Sequence, residues 1–112
     1  AWMNFDGVNN FIQTATGTGT LVMPPSNLAV TQGVNNFGIF NEYFNTLTWA
    51  ASADPNLVGY AIYRNNVLLT FVFADVLQFI DNNQKQNGPV TYGVSTVDNA
   101  GTESAIIYVS FP

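Results

Sequence analysis

Residues 57–64 read LVGYAIYR, and residues 89–104 read PVTYGVSTVDNAGTES. Both stretches alternate side chains with a period of two, the pattern of a β-strand, where successive residues point to opposite faces. Tyr60 and Ile62 fall on one face of the first, and Tyr92 and Val94 on one face of the second. The second stretch runs into Asp98, Asn99 and Gly101, residue types that favour a tight turn.

Working outward, the same alternation recurs in short segments separated by turn residues. Strands are expected at Asn27–Thr31, Asn45–Ala50, Val58–Arg64, Val67–Phe73, Gln78–Asp81, Val90–Val97 and Ala105–Phe111. Leu28 and Val30 share a face in the first, and Leu47 and Trp49 face inward in the second. Asn65-Asn66 predicts a tight turn between the third and fourth, because Asn tolerates positive φ better than any residue but Gly. One short turn is expected at Ala74–Leu77, and no window shows the sustained 3.6-residue spacing of a helix. Seven strands in this rhythm predict an antiparallel two-sheet sandwich.

Several segments together resemble a fibronectin type III domain of the accessory-module type found in secreted bacterial and phage proteins. They are Pro25-Ser26-Asn27-Leu28, Leu47-Thr48-Trp49, Gly59–Arg64, Val94–Asp98 and Gly101–Ser104, and the likeness spans residues 24–111. It implies a seven-stranded antiparallel, immunoglobulin-like β-sandwich at residues 24–112, preceded by an extended N-terminal arm at residues 1–23. Two departures stand out. The family's corner tyrosine would fall at position 90, which is Val90, so Gln84–Gly88 is expected to be looser than usual. The connection from Thr31 to Phe44 looks longer than the family's short turn and carries Phe37, Ile39, Phe40, Tyr43 and Phe44.

The arm reads differently from the rest. Phe5–Ile12 resembles the opening strand of laminin-G-type jelly rolls, over those residues alone, which supports a strand at residues 3–12. Thr16-Gly17-Thr18-Gly19-Thr20 then favours an extended tether up to Pro24-Pro25. Met3–Ile12 is therefore expected to pair either with its own domain or with a neighbouring subunit's sheet edge.

Composition narrows the function. The chain has 112 residues, of which 8% are charged and only Arg64 and Lys85 are positive, for a net charge of −5. Nucleic-acid binding is excluded on that ground, since it needs several cations to displace counterions. No apolar run is long enough for a membrane-spanning helix. The sequence opens with no basic start followed by an apolar stretch, the pattern expected of a chain whose leader was removed or never existed. There is no cysteine and no histidine, so thiolate chemistry, disulfides and the usual neutral-pH base are missing.

The acids are Asp6, Glu42, Asp54, Asp75, Asp81, Asp98 and Glu103. Asp54, Asp81, Asp98 and Glu103 sit at strand ends or turns, where bonding to the backbone is the ordinary role. Asp98, Asn99 and Glu103 offer oxygen ligands without the spacing of an EF-hand loop. No catalytic residue, metal site or cofactor is expected.

Aromatics are in surplus: nine Phe, five Tyr and two Trp exceed what one small core absorbs. Either the arm and the Thr31–Phe44 connection fold back over the core, or these rings pack against another subunit. Aromatic enrichment with few charges is the composition of interface centres. Trp2, Phe5, Phe11, Ile12, Phe37, Phe40, Tyr43 and Tyr63 are the candidate interface residues. Tyr63, facing away from the core, also leaves room for stacking on a sugar ring. The expectation is a non-catalytic structural or interaction module of a larger extracellular or virion assembly, such as a phage tail, a filament or a surface adhesin. The alternative is an accessory or carbohydrate-binding module of a secreted polysaccharide-degrading enzyme.

Overall fold

The computed structural model describes residues 21–112. Seven strands run in order: β1 (Ser26–Asn36), β2 (Asn41–Ala50), β3 (Leu57–Arg64), β4 (Val67–Phe73), β5 (Gln78–Gln84), β6 (Val90–Asp98) and β7 (Ile107–Phe111). They form a three-stranded sheet ordered β1-β2-β5 and a four-stranded sheet ordered β4-β3-β6-β7, all antiparallel. The expected all-β sandwich is therefore found. The expected arm strand at residues 3–12 lies outside the described residues, as do Trp2, Phe5, Phe11 and Ile12.

The alternation in LVGYAIYR sets the core. Tyr60 and Ile62 on β3 and Tyr92 and Val94 on β6 are fully buried, and they meet Leu47 and Trp49 from β2 and Val90. Leu28, Val30, Val72, Phe79, Val109 and Phe111 pack around this cluster. Trp49 and Tyr60 make an edge contact across the sheets, with ring centroids 5.5 Å apart. The Asn65-Asn66 turn has φ of 50° and 67°, the left-handed pair that a two-residue hairpin between twisted strands requires.

Two connections differ from the sequence-based expectation. Thr31 to Phe44 is not a long loop. β1 and β2 continue as a ladder through Gly33↔Phe44 and Val34↔Tyr43 to Asn36↔Asn41, leaving only Phe37–Phe40 at the tip. The Phe44 ring lies over Gly33, a cross-strand fit that becomes visible only once the register is known. The tip closes with Phe37 N–H donating to the Phe40 carbonyl at 2.9 Å and Gly38 N–H to Asn36 Oδ1 at 2.8 Å.

The second correction concerns Gln84–Gly88, expected to be loose without a corner tyrosine. Gln32 holds this connection instead. Its Nε2 donates to the Lys85 carbonyl at 2.9 Å, and its Oε1 accepts from Asn87 N–H at 2.9 Å. Gln32→Ala is expected to cost about 1–2 kcal/mol, from two exposed hydrogen bonds to this connection and a third to Asn45 Oδ1. Faster amide exchange at Asn87, with the core amides unchanged, is the measurement that checks it. The remaining boundary differences are small: β5 extends beyond Asp81 to Gln84, and β7 begins at Ile107 rather than Ala105.

Candidate interaction surface

One end of the sandwich interior is polar. Asn45 on β2 and Asp81 on β5 face Tyr92 on β6 and Arg64 on β3, so the group spans both sheets. Tyr92 donates its hydroxyl to Asp81 Oδ2 at 2.6 Å and accepts from Asn45 Nδ2 at 3.0 Å. Arg64 Nη1 donates to both Asp81 oxygens at 2.7 and 2.8 Å, and Asn45 Oδ1 accepts from Gln32. Burial, and then the bond to Asp81, push the Tyr92 phenol well above its usual value.

The sign of that shift gives a pH prediction. The unfolded chain ionises its tyrosines near pH ~10, before folded Tyr92 does, so this contribution to stability is intact below that pH and declines above it. Urea midpoints measured on the alkaline side should fall less steeply in Tyr92→Phe than in the unmodified chain. In this network the side-chain polar atoms of Asn45, Asp81 and Tyr92 all have partners. It is structural.

Asp54, Asp98 and Glu103 are similarly engaged. Asp54, nearly buried, accepts from Met23 N–H at 3.0 Å and Asn56 N–H at 2.9 Å. Asp98 Oδ1 accepts from Ala100 N–H and Thr102 N–H, closing the turn in which Gly101 takes φ of 79°. Glu103, in a bridge pair with Val97, accepts from the Tyr63 and Ser95 hydroxyls. The Glu103 carboxylate holds the Tyr63 phenol above its ordinary value. Among the described residues, no three of His, Cys, Asp and Glu come together in a metal-binding group. Nor is any helix there long and apolar enough to cross a membrane.

The surface carries the surplus aromatics. Phe37 and Phe40 stack with centroids 5.0 Å apart at the β1–β2 tip, both more than half exposed, beside a nearly fully exposed Ile39. They do not fold back over the core. Tyr43 is half-buried beside Gln32, Val34, Asn87 and Phe111, around a shallow open cleft at the end of the sandwich. Tyr63 lies on the outer face of the four-stranded sheet but is half-buried, its hydroxyl committed to Glu103. The four described candidates therefore do not form one site.

Sequence reading missed a larger apolar area on that outer sheet face. β4 contributes Leu68, Phe71 and Phe73, and β7 contributes Tyr108, all exposed. Two glycines make it possible. The Phe71 ring lies over Gly59, where an added methyl would also overlap the Val72 carbonyl, and the Tyr108 ring lies over Gly93. Phe71 and Phe73 meet edge to face at 5.7 Å. Gly59→Ala is expected to destabilise the fold by ~1–3 kcal/mol, because the strand backbone must give way. A urea titration comparing it with the unmodified chain checks this. The signal available in the sequence was the run VLLTFVF, apolar on both faces where one face should meet water.

No family model matches this chain, and no curated protein matches it. Solved structures do. The Clostridium perfringens spore cortex lytic enzyme SleM aligns over 79% of this chain with a TM-score of 0.55 and 19% identity. The central fibronectin-III array of RIM-binding protein aligns over 79% with a TM-score of 0.60 and 17% identity. The aligned part is 28% of the first solved chain and 35% of the second, so this chain spans about a third of their length or less. At these identities the likeness is one of fold. Residues 21–112 form a seven-stranded antiparallel β-sandwich whose fold is similar to that of the fibronectin-III array.

Proposed function

We propose that this domain is a non-catalytic interaction module of a larger extracellular or virion assembly. The observation carrying this reading is the uncovered apolar surface: Leu68, Phe71, Phe73 and Tyr108 on one sheet face, and Phe37, Ile39 and Phe40 at the hairpin tip. Exposed apolar groups of this size mark sites that are covered by a partner. The scarcity of charge supports the same reading, because a surface with few ions loses little when desolvated. Asp54, Asp98 and Glu103 are engaged by turns or hydroxyls, which supports a role without chemistry. Both solved neighbours are chains much longer than this one, which fits a module used beside others.

The arm has a part in this proposal. It contributes to linking copies into the larger assembly. Deleting residues 1–20, which spares buried Val22 and the Met23 bonds to Ser52 and Asp54, is expected to leave a folded domain that no longer forms higher oligomers. Unfolding of the truncated domain, or unchanged assembly, would remove the arm from the account.

The second reading, a carbohydrate-binding accessory module, is favoured by the flat Phe71 and Tyr108 rings, whose electron-rich faces suit the C–H side of a sugar. Retention on insoluble polysaccharides, run beside sedimentation velocity, separates the two. The assembly reading expects concentration-dependent association and no retention. A chain that stays monomeric at high concentration and is retained on polysaccharide would overturn it.

A further inference from the structure

Among the described residues β4 is an edge strand, with β3 as its only hydrogen-bonded neighbour. Its residues, Val67–Phe73, read VLLTFVF, with no charge, no proline and no glycine. Natural sheets usually blunt such an edge with charge, proline or a bulge, since an unpaired row of N–H and C=O groups invites another strand. β5, the edge of the other sheet, is blunted: it carries Asp81, Asn82 and Asn83, with Asn83 at φ of 61°. β4 carries only a register shift opposite Ile62/Tyr63, which leaves Thr70–Phe73 regular and exposed at Phe71 and Phe73.

The directions of its backbone groups follow from one bond. Ala74 N–H donates to the Val58 carbonyl at 3.0 Å, and Val72 and Thr70 pair with Tyr60 and Ile62. Alternation along an antiparallel strand then turns the N–H and C=O groups of Phe71 and Phe73 to the free side. The Phe73 carbonyl already accepts from Val76 N–H at 2.9 Å. This leaves the Phe73 N–H and both groups of Phe71 facing outward.

We infer that β4 pairs antiparallel with β4 of a second copy of this chain, about a two-fold axis at Phe71. Phe71 then exchanges both of its backbone bonds with the second copy's Phe71, and the Phe73 N–H meets Leu69 of that copy. The Phe71 and Phe73 rings of both copies gather on the same outer face, where directly opposed and diagonal aromatic pairs attract. Charge fits this occupant. The net charge of −5 disfavours close approach in general, but β4 itself is neutral. The nearest unpaired acid in sequence, Asp75, follows the strand's C-terminal end. Antiparallel pairing sets the two Asp75 residues about 27 Å apart at ~3.4 Å per residue, beyond a Debye length of ~8 Å. Two copies thus give a continuous eight-stranded sheet with its apolar face doubled.

This pairing rests on the interaction-module reading and names its partner. The test is residue-resolved amide exchange on the full 112-residue chain at low and high concentration, with Phe73→Pro as the edge variant. In the dimer, the Phe71 and Phe73 amides slow by about tenfold or more at high concentration, while core amides do not change. Phe73→Pro removes an outward N–H together with the exposed Phe73 ring and keeps the β3 bonds, a change an edge strand tolerates. It should retain its β circular dichroism and dimerise about tenfold more weakly, the equivalent of ~1.4 kcal/mol. Equal exchange of Phe71 and Phe73 at both concentrations overturns the pairing. So does a folded Phe73→Pro that associates like the unmodified chain. Association with those amides unprotected overturns this inference alone, whereas monomeric retention on polysaccharide overturns the functional reading beneath it.

Discussion

Trp49→Ala is expected to remove ~3–5 kcal/mol of stability, a large part of what a domain of this size has. Trp49 is 5% exposed, lies edge-on to Tyr60 and sits where β2 crosses the centre of the core. Truncation to alanine leaves a cavity bounded by Leu47, Tyr60 and their neighbours on rigid strands, which limits collapse into the space. The indole Nε1 is buried and makes no hydrogen bond, so the ring contributes packing alone. Trp49→Phe should therefore cost much less than Trp49→Ala, because it keeps most of the volume and removes an unsatisfied donor. Urea unfolding curves with a common slope for the three proteins provide the measurement. Equal losses for Phe and Ala would place the indole N–H, not the packing, at the centre of the effect.

Asp81→Ala is expected to have the next largest effect, about 2–3 kcal/mol. Asp81 receives the Tyr92 hydroxyl and two bonds from Arg64, so its removal leaves a buried phenol and a guanidinium without their acceptor. Hydrogen bonds to a charged group each contribute ~1.5–3 kcal/mol, and loss of a buried partner carries the desolvation penalty of the group left behind. The sum is discounted here because the Arg64 side chain is 36% exposed and water can take over part of its solvation. Asp81→Asn keeps an acceptor for Tyr92 and should recover part of the loss. A double-mutant cycle of Asp81→Ala with Tyr92→Phe should show coupling of at least about 0.5 kcal/mol. Simple additivity would mean that the two groups do not act together.

The parts of this fold that were legible in sequence are those where a local pattern decides the outcome. β3 and β6 are central strands, and their alternation places Tyr60, Ile62, Tyr92 and Val94 inside whatever the neighbours do. Asn65-Asn66 carries its own turn chemistry. What was not legible depends on pairing between distant residues. Gln32 secures the Lys85–Asn87 backbone from across the sheet, and nothing near Gln32 in sequence announces it. The β1–β2 extension follows from Phe44 fitting over Gly33, a relation set by register. Tyr63 was correctly read as facing away from the core, but its hydroxyl is committed to Glu103, 40 residues away.

The candidate surface follows the same division. Phe37 and Phe40 stood out by composition, and the structure places them exposed at a tip. Phe71, Phe73 and Tyr108 were overlooked because an apolar edge strand and a buried one read alike until strand order is known. Gly59 and Gly93, without a Cβ, let the Phe71 and Tyr108 rings approach the strand backbone closely.

The most direct test of the central claim is sedimentation velocity on the full chain and on a Phe73→Ser/Tyr108→Ser double variant across a range of concentrations. Both rings are more than half exposed, at 67% and 55%, so the variant should keep its fold and melt within a few degrees of the unmodified chain. The account predicts that the unmodified chain associates as concentration rises and that the double variant sediments as a smaller species throughout. A folded double variant that associates as strongly as the unmodified chain would contradict it.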